Sequence, residues 1–130
     1  MSSPVAGGPA EIAARVVEAI NSRDRARLAE LLDDASEVVT GRTTHRGPEA
    51  IVAWARKEYD HLVRRYSIDE YRARGDAVLA LGSVEYAWIE DGSVADSSPI
   101  ALDFEIEEGR LSRLGLRDDT AAALVDFARI

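Results

Sequence analysis

The chain has 130 residues, 24 acidic and 16 basic side chains, a formal net charge of −8 and 46% hydrophobic residues. That length suits one domain with a single core, and the mix of charged and apolar residues excludes the disordered, fibrous and disulfide-stapled classes. The absence of cysteine removes disulfides, thiolate nucleophiles, zinc fingers and iron–sulfur ligation.

Binding along nucleic-acid phosphates is driven by Lys and Arg, so the acidic surplus argues against a nucleic-acid partner. Apolar runs fall far short of the roughly 20 residues of a membrane span. Met1 to Ala10 has neither the basic start nor the apolar core of a secretory signal. The expectation is a soluble cytoplasmic protein without a membrane or nucleic-acid partner.

Residues 1–9 (MSSPVAGGP) are small, Gly/Pro-rich and aperiodic, which predicts a flexible N-terminal arm ahead of one domain over 10–130. From Ala10, the residues Ile12, Val16, Ala19 and Ile20 recur at helical spacing behind Pro9 and predict a first helix ending near Asn21-Ser22. Asp24 is an N-cap candidate for a short second helix with Leu28, Leu31 and Leu32 on its apolar face, closed by Asp33-Asp34. Glu37 to His45 is β-branched and predicts one strand, with Gly41 as a weak point or bulge. Gly47-Pro48-Glu49 opens a third helix, whose face carries Ile51, Trp54, Ala55, Glu58 and Leu62.

Beyond Arg64-Arg65 the pattern becomes that of strands: Tyr66 to Arg74, Ala77 to Glu90, Ser98 to Glu107 and Arg110 to Arg117. Gly75-Asp76, Asp91-Gly92 and Glu108-Gly109 supply the turns between them. Ile100, Leu102, Phe104 and Ile106 alternate with Ala101, Asp103, Glu105 and Glu107, giving one apolar and one acidic face. Asp119 or Thr120 caps a last short helix containing Leu124, Val125 and Phe127. Helix, helix, strand, helix, strands describes an α+β domain with helices on one face of a curved sheet.

The helix end Ile20-Asn21-Ser22-Arg23-Asp24, the Leu31-Leu32-Asp33-Asp34-Ala35 stretch, His45-Arg46-Gly47-Pro48-Glu49-Ala50-Ile51, the Gly75-Asp76 turn and Glu108-Gly109-Arg110-Leu111 together resemble the nuclear transport factor two-like superfamily, in particular its SnoaL-like (polyketide cyclase-like) group. The resemblance implies a cone: a strongly curved mixed or antiparallel sheet wrapped round three helices, a cystatin-like α+β barrel, here with a short C-terminal helix. It also implies an interior pocket and, often, a homodimer paired through the outer face of the sheet. Because such folds host isomerases, epoxide hydrolases, dehydratases, cyclases and pure binding modules, function rests on the site.

The resemblance places an isomerase's base, phenol and protonated acid near Val39 or Thr40, Val16 and Leu102, and an epoxide hydrolase's charged set near Gly82, Val84 and Leu116. Both sets are missing. The interior is then expected to be mainly apolar, with Trp54, Val84, Leu102, Phe104, Leu114 and Leu116 as pocket wall. Thr40, Arg42, Tyr59 and Tyr86 are its candidate polar contacts. Glu58, if buried, has the raised pKa of a general acid or base, and otherwise reaches solvent at the mouth. Asp118 is a catalytic candidate or a helix cap. Strand alternation turns Glu85 outward if Val84 points in. The two histidines, His45 and His61, read as surface residues without metal-ligand spacing. The expected function is binding of a small hydrophobic molecule, either by a cofactor-independent cyclase, dehydratase or hydrolase or by a non-catalytic ligand-binding or dimerisation module.

Overall fold

The computed structural model describes residues 8–59 and 61–130, with only the backbone of Glu58 and Tyr59. The predicted arm therefore lies largely outside the described residues. Its last residue, Pro9, already begins helix α1 (Pro9–Ser22), where a missing N–H costs nothing. One face of α1 buries Ile12, Ala13, Val16, Val17, Ala19 and Ile20. The helix stops at Arg23, which is left-handed (φ 58°) and donates its amide to the carbonyl of Ile20. Helix α2 (Arg25–Glu30) follows, with the Asp24 carboxylate accepting from the amide of Arg27.

Helix α2 ends sooner than its apolar spacing suggests. Leu32 opens strand β1 (Leu32–Thr40), where it pairs with Leu111, and an irregular stretch before Glu37 contains Asp33 and Asp34. The buried Ser36 holds that irregularity: its hydroxyl donates to the Leu111 carbonyl and accepts from the Asp33 amide. The single strand expected over 37–45 is a hairpin. β1 turns through Gly41-Arg42 into β2 (Thr43–Arg46), with Thr40 opposite Thr43 and Gly41 at φ 57°. A two-residue hairpin loop with positive φ at its first position favours glycine there, so Gly41 marks a reversal.

Helix α3 (Pro48–Ala55) is also shorter than its periodicity implies, and Glu58 is not on it. Two distant arginines occupy carbonyls at its C-terminal end: Arg64 donates to the Trp54 carbonyl and Arg23 to that of Arg56. The chain then forms β3 (Glu58–Tyr59) and β4 (Leu62–Arg74), Glu58 opposite Val63 and Tyr59 opposite Leu62, with His61 exposed at φ 68°. The apparent helical spacing of Glu58 and Leu62 comes from two strands of one hairpin.

Strands β5 (Ala77–Trp88), β6 (Val94–Glu107) and β7 (Arg110–Arg117) complete a seven-stranded sheet in the order β2-β1-β7-β6-β5-β4-β3. All neighbours are antiparallel except β1 and β7, which run parallel. The order is linear, so the sheet is mixed, open and not closed into a barrel. Helix α1 touches β4, β5, β6 and β7, which requires the sheet to curl round it. At Gly82 the curl is tight enough that β4 backbone occupies the place of a side chain. Asn21 closes an open stretch of β4 as a surrogate strand, its amide group donating to the Tyr66 carbonyl (2.7 Å) and accepting from the Tyr66 amide (2.8 Å).

Helix α4 (Thr120–Ala128), capped by Asp119, lies on the opposite face of the sheet. Its Ala123 and Phe127 cover Leu79 and Ala101, a second small core separate from the main one. This cover explains why β5 reads Val78-Leu79-Ala80 without a polar break, since both faces are buried there. Arg117 bridges Asp126 of α4 (2.8 Å) and Asp103 of β6 (4.0 Å).

Candidate functional site

The register groups the concave side chains into rows across the sheet. Val78, Phe104, Leu114 and Val38 form one row, ending at His45, and its four apolar members are fully buried against α1. The neighbouring row runs Tyr71, Ala80, Leu102, Leu116 and Thr40. Ala80 and Leu102 are buried, whereas Leu116 and Thr40 are half-buried. Further along β5, Val84 lies between Tyr66 and Ser98, and Tyr86 between Arg64 and Asp96. The concave face thus passes from closed aliphatic packing to a half-open mouth with polar groups.

Of the ten expected pocket residues, Trp54, Val84, Tyr86, Leu116 and Thr40 come to this mouth or its wall. Leu102, Phe104 and Leu114 form the packed base below it, with no exposure. Arg42 sits in the exposed β1–β2 turn, outside the site. Tyr59 and the catalytic candidate Glu58 lie on β3, paired with the start of β4, and their side chains lie outside the described residues. Asp118 is exposed between β7 and α4, one residue before the cap that Asp119 provides. Val16 and Leu102, the places where an isomerase would need polar groups, are wholly buried and apolar. Glu85 points away from the concave side, paired with Arg65 at 2.9 Å.

Two polar residues at the mouth, Arg64 and His45, were not expected there, and Tyr66 joins them. The guanidinium of Arg64 lies 4.5 Å from the centre of the Trp54 ring and 5.8 Å from that of Tyr66, within cation–π range of both. His45 stands 6.1 Å from Trp54, half-buried and not on the surface. Tyr66, with 3% exposure, is fixed by its backbone bonds to Asn21. A signal existed for Arg64: once β4 starts at Leu62, alternation puts Arg64, Tyr66 and Ile68 on one face. Starting the strand at Tyr66 hid it. Burial pushes the phenol of Tyr71, deeper on the same strand, above its ordinary pKa, so it stays neutral as a wall group.

Chemically, this cluster offers a delocalised cation, held against the buried rings of Trp54 and Tyr66, for developing negative charge, and one imidazole and one phenol for proton transfer. The described residues contain no cluster of three or more potential metal-ligating side chains. No helix among them is long and apolar enough to cross a membrane. Two grooves, of about 670 and 400 Å³, lie outside the cone against α2 and contain none of the expected site residues.

No family model matches this chain, and no curated protein does. Solved structures do resemble it. A candidate SnoaL-like polyketide cyclase from Shewanella denitrificans matches with a TM-score of 0.70 at 14% identity, over 94% of this chain and 98% of that one. An NTF2-like protein of unknown function from Burkholderia pseudomallei matches at 0.70 and 19%, over 90% and 95%. An LEH-like epoxide hydrolase from Mycobacterium tuberculosis matches at 0.71 and 16%, over 87% and 79%. These likenesses cover 87–94% of this chain: the chain has the α+β fold shared by SnoaL-like polyketide cyclases and other NTF2-like proteins.

Proposed function

We propose that the cone mouth binds a small hydrophobic molecule with at least one flat ring, held between Trp54 and the Val84–Tyr86 edge of β5. The observation that carries this reading is the change along the concave face from fully buried aliphatic packing at Phe104 and Leu114 to half-buried Thr40, Arg64, Tyr86 and Leu116. Arg64, stacked on Trp54, sets a cation beside that change. The cyclase and epoxide hydrolase among the similar structures support a cofactor-independent reaction of cyclase or hydrolase type. In it Arg64 would stabilise an oxyanion, with His45 or Tyr66 moving the proton. The same pocket without turnover is the binding-module alternative. A cytoplasmic location accompanies either reading.

Titrating the protein with the uncharged fluorescent probe N-phenyl-1-naphthylamine tests the site. One saturable site lost in Leu116→Trp, which fills the mouth at a half-buried position, supports it. Binding unchanged by that substitution refutes it. Arg64→Met separates the two versions, since it should abolish turnover of a hydrolase or cyclase substrate while sparing capture of a neutral ring.

A homodimer paired through the outer sheet face goes with this proposal. The carboxylates of Glu105 and Asp103 on that face are already near Arg113 (3.8 Å) and Arg117 of the same chain, so a second copy would meet a largely neutralised surface. Sedimentation at micromolar concentration giving one chain's mass refutes the dimer.

A further inference from the structure

We infer that the 670 Å³ groove between α2 and α3 is a second binding site, for a small organic anion: a carboxylate on an apolar body. The groove lies outside the cone, and its lining is charged against the trend of the chain. Even without Arg23, the lining sets Arg25 and Arg56 against a single carboxylate, Glu49, a net positive charge in a protein of net charge −8. Several arginines elsewhere are matched to acids, as in Arg27 with Glu18, Arg65 with Glu85 and Arg72 with Glu70, and the unmatched Arg42 and Arg129 line neither groove. Among the described residues Arg25 and Arg56 have no carboxylate within 4.0 Å. In a chain with surplus acids, two unmatched guanidiniums at one concavity form an anion site whose ligand comes from outside.

The rest of the groove sets the ligand's shape. Val52 and Ala53 of α3 and Ala29 of α2 supply an apolar stretch. Glu49 and Arg56 are seven residues apart on α3 and its cap, about 10 Å along the axis, so the ligand's head goes to Arg56 and its apolar body runs toward Glu49. Arg23 builds the basic end into the fold: it sits in the turn between α1 and α2, and its guanidinium donates to the Arg56 carbonyl. The volume lies within the range of about 300–1,000 Å³ usual for small-molecule sites.

The test is an amide NMR titration with sodium octanoate, with octanol and inorganic phosphate as comparison probes. Octanoate should shift Ala29, Val52 and Ala53 saturably, and the double variant R25Q/R56Q should weaken it at least tenfold. Arg56→Lys, which keeps the charge, should retain more affinity than Arg56→Gln. Both arginines are exposed, so the double variant should keep the wild-type Tm, and a tenfold loss at unchanged Tm reports the site itself. Shifts confined to the cone mouth around Thr40, His45 and Tyr86 would overturn the proposal. So would octanol binding as tightly as octanoate, phosphate binding as well as octanoate, or affinity unchanged in R25Q/R56Q.

Discussion

Gly82→Ala should destabilise this protein far more than a glycine-to-alanine change in a strand ordinarily does. An added methyl group would lie 2.0 Å from the Ser67 carbonyl oxygen and 2.8 Å from Cα of Ile68, where ordinary contact begins near 3.4 Å. The obstacle is backbone, so no side-chain rotation relieves it, and β4 and β5 must part by more than an ångström at Ile68 and Gly82. That opening sacrifices about two ladder hydrogen bonds at about 1 kcal/mol each, and the overpacking strain adds about 1–3 kcal/mol. A total of at least about 3 kcal/mol corresponds to a fall in Tm of about 10 °C or more for a domain of this size. Gly115→Ala is the internal control: its methyl would meet only the movable Arg113 guanidinium, at 3.4 Å, and should cost less than about 1 kcal/mol. Urea unfolding followed by far-UV circular dichroism measures both. Gly82→Ala within 1 kcal/mol of wild type, or Gly115→Ala as damaging, would refute the claim that the sheet bends hard at Gly82.

Asn21→Leu removes both bonds to the Tyr66 backbone and should cost about 2 kcal/mol, with faster hydrogen exchange at the Tyr66 amide as the local readout. Phe127→Ala empties the contact of α4 with Leu79 and Ala101. It should cost about 3 kcal/mol in urea unfolding, and a loss below 1 kcal/mol would mean that α4 is not docked. Lost hydration raises the pKa of the Asp103 carboxyl, with Arg113 and Arg117 pulling the other way. A raised folded-state pKa means that the group's stabilising contribution is complete below the unfolded value and lost as pH rises through the folded one. Asp103→Asn should therefore be at least as stable as wild type at pH 7, by less than about 1 kcal/mol at this half-exposed position. The difference should vanish near pH 3, and a clear loss of stability at pH 7 would contradict the sign.

The elements with strong local signals were legible from sequence alone. Pro9 and the apolar face of α1, the Asp24 and Asp119 caps, and the alternation of β6 and β7 each follow from interactions within a few residues. So did the α+β class. At the proposed site, the shared concave face of Val84, Tyr86 and Leu116 needed only strand alternation. Where Leu31-Leu32 and Glu58–Leu62 were read as helix, apolar spacing fitted two structures, and contacts far along the chain decided between them. Leu111 draws Leu32 into a parallel pair, and Arg23 and Arg64 take carbonyls at the end of α3. Burial on both faces of β5 depended on α4, which follows it by more than thirty residues. The Arg64–Trp54–His45 cluster has the same origin: β2, α3 and β4 contribute one residue each, and no periodicity within one segment records which side chains a folded sheet brings together. Sequence determined which faces are apolar; the curl of the sheet at Gly82 and the pairing of distant strands decided which polar groups share the mouth, because that choice is made by contacts between segments far apart in the chain.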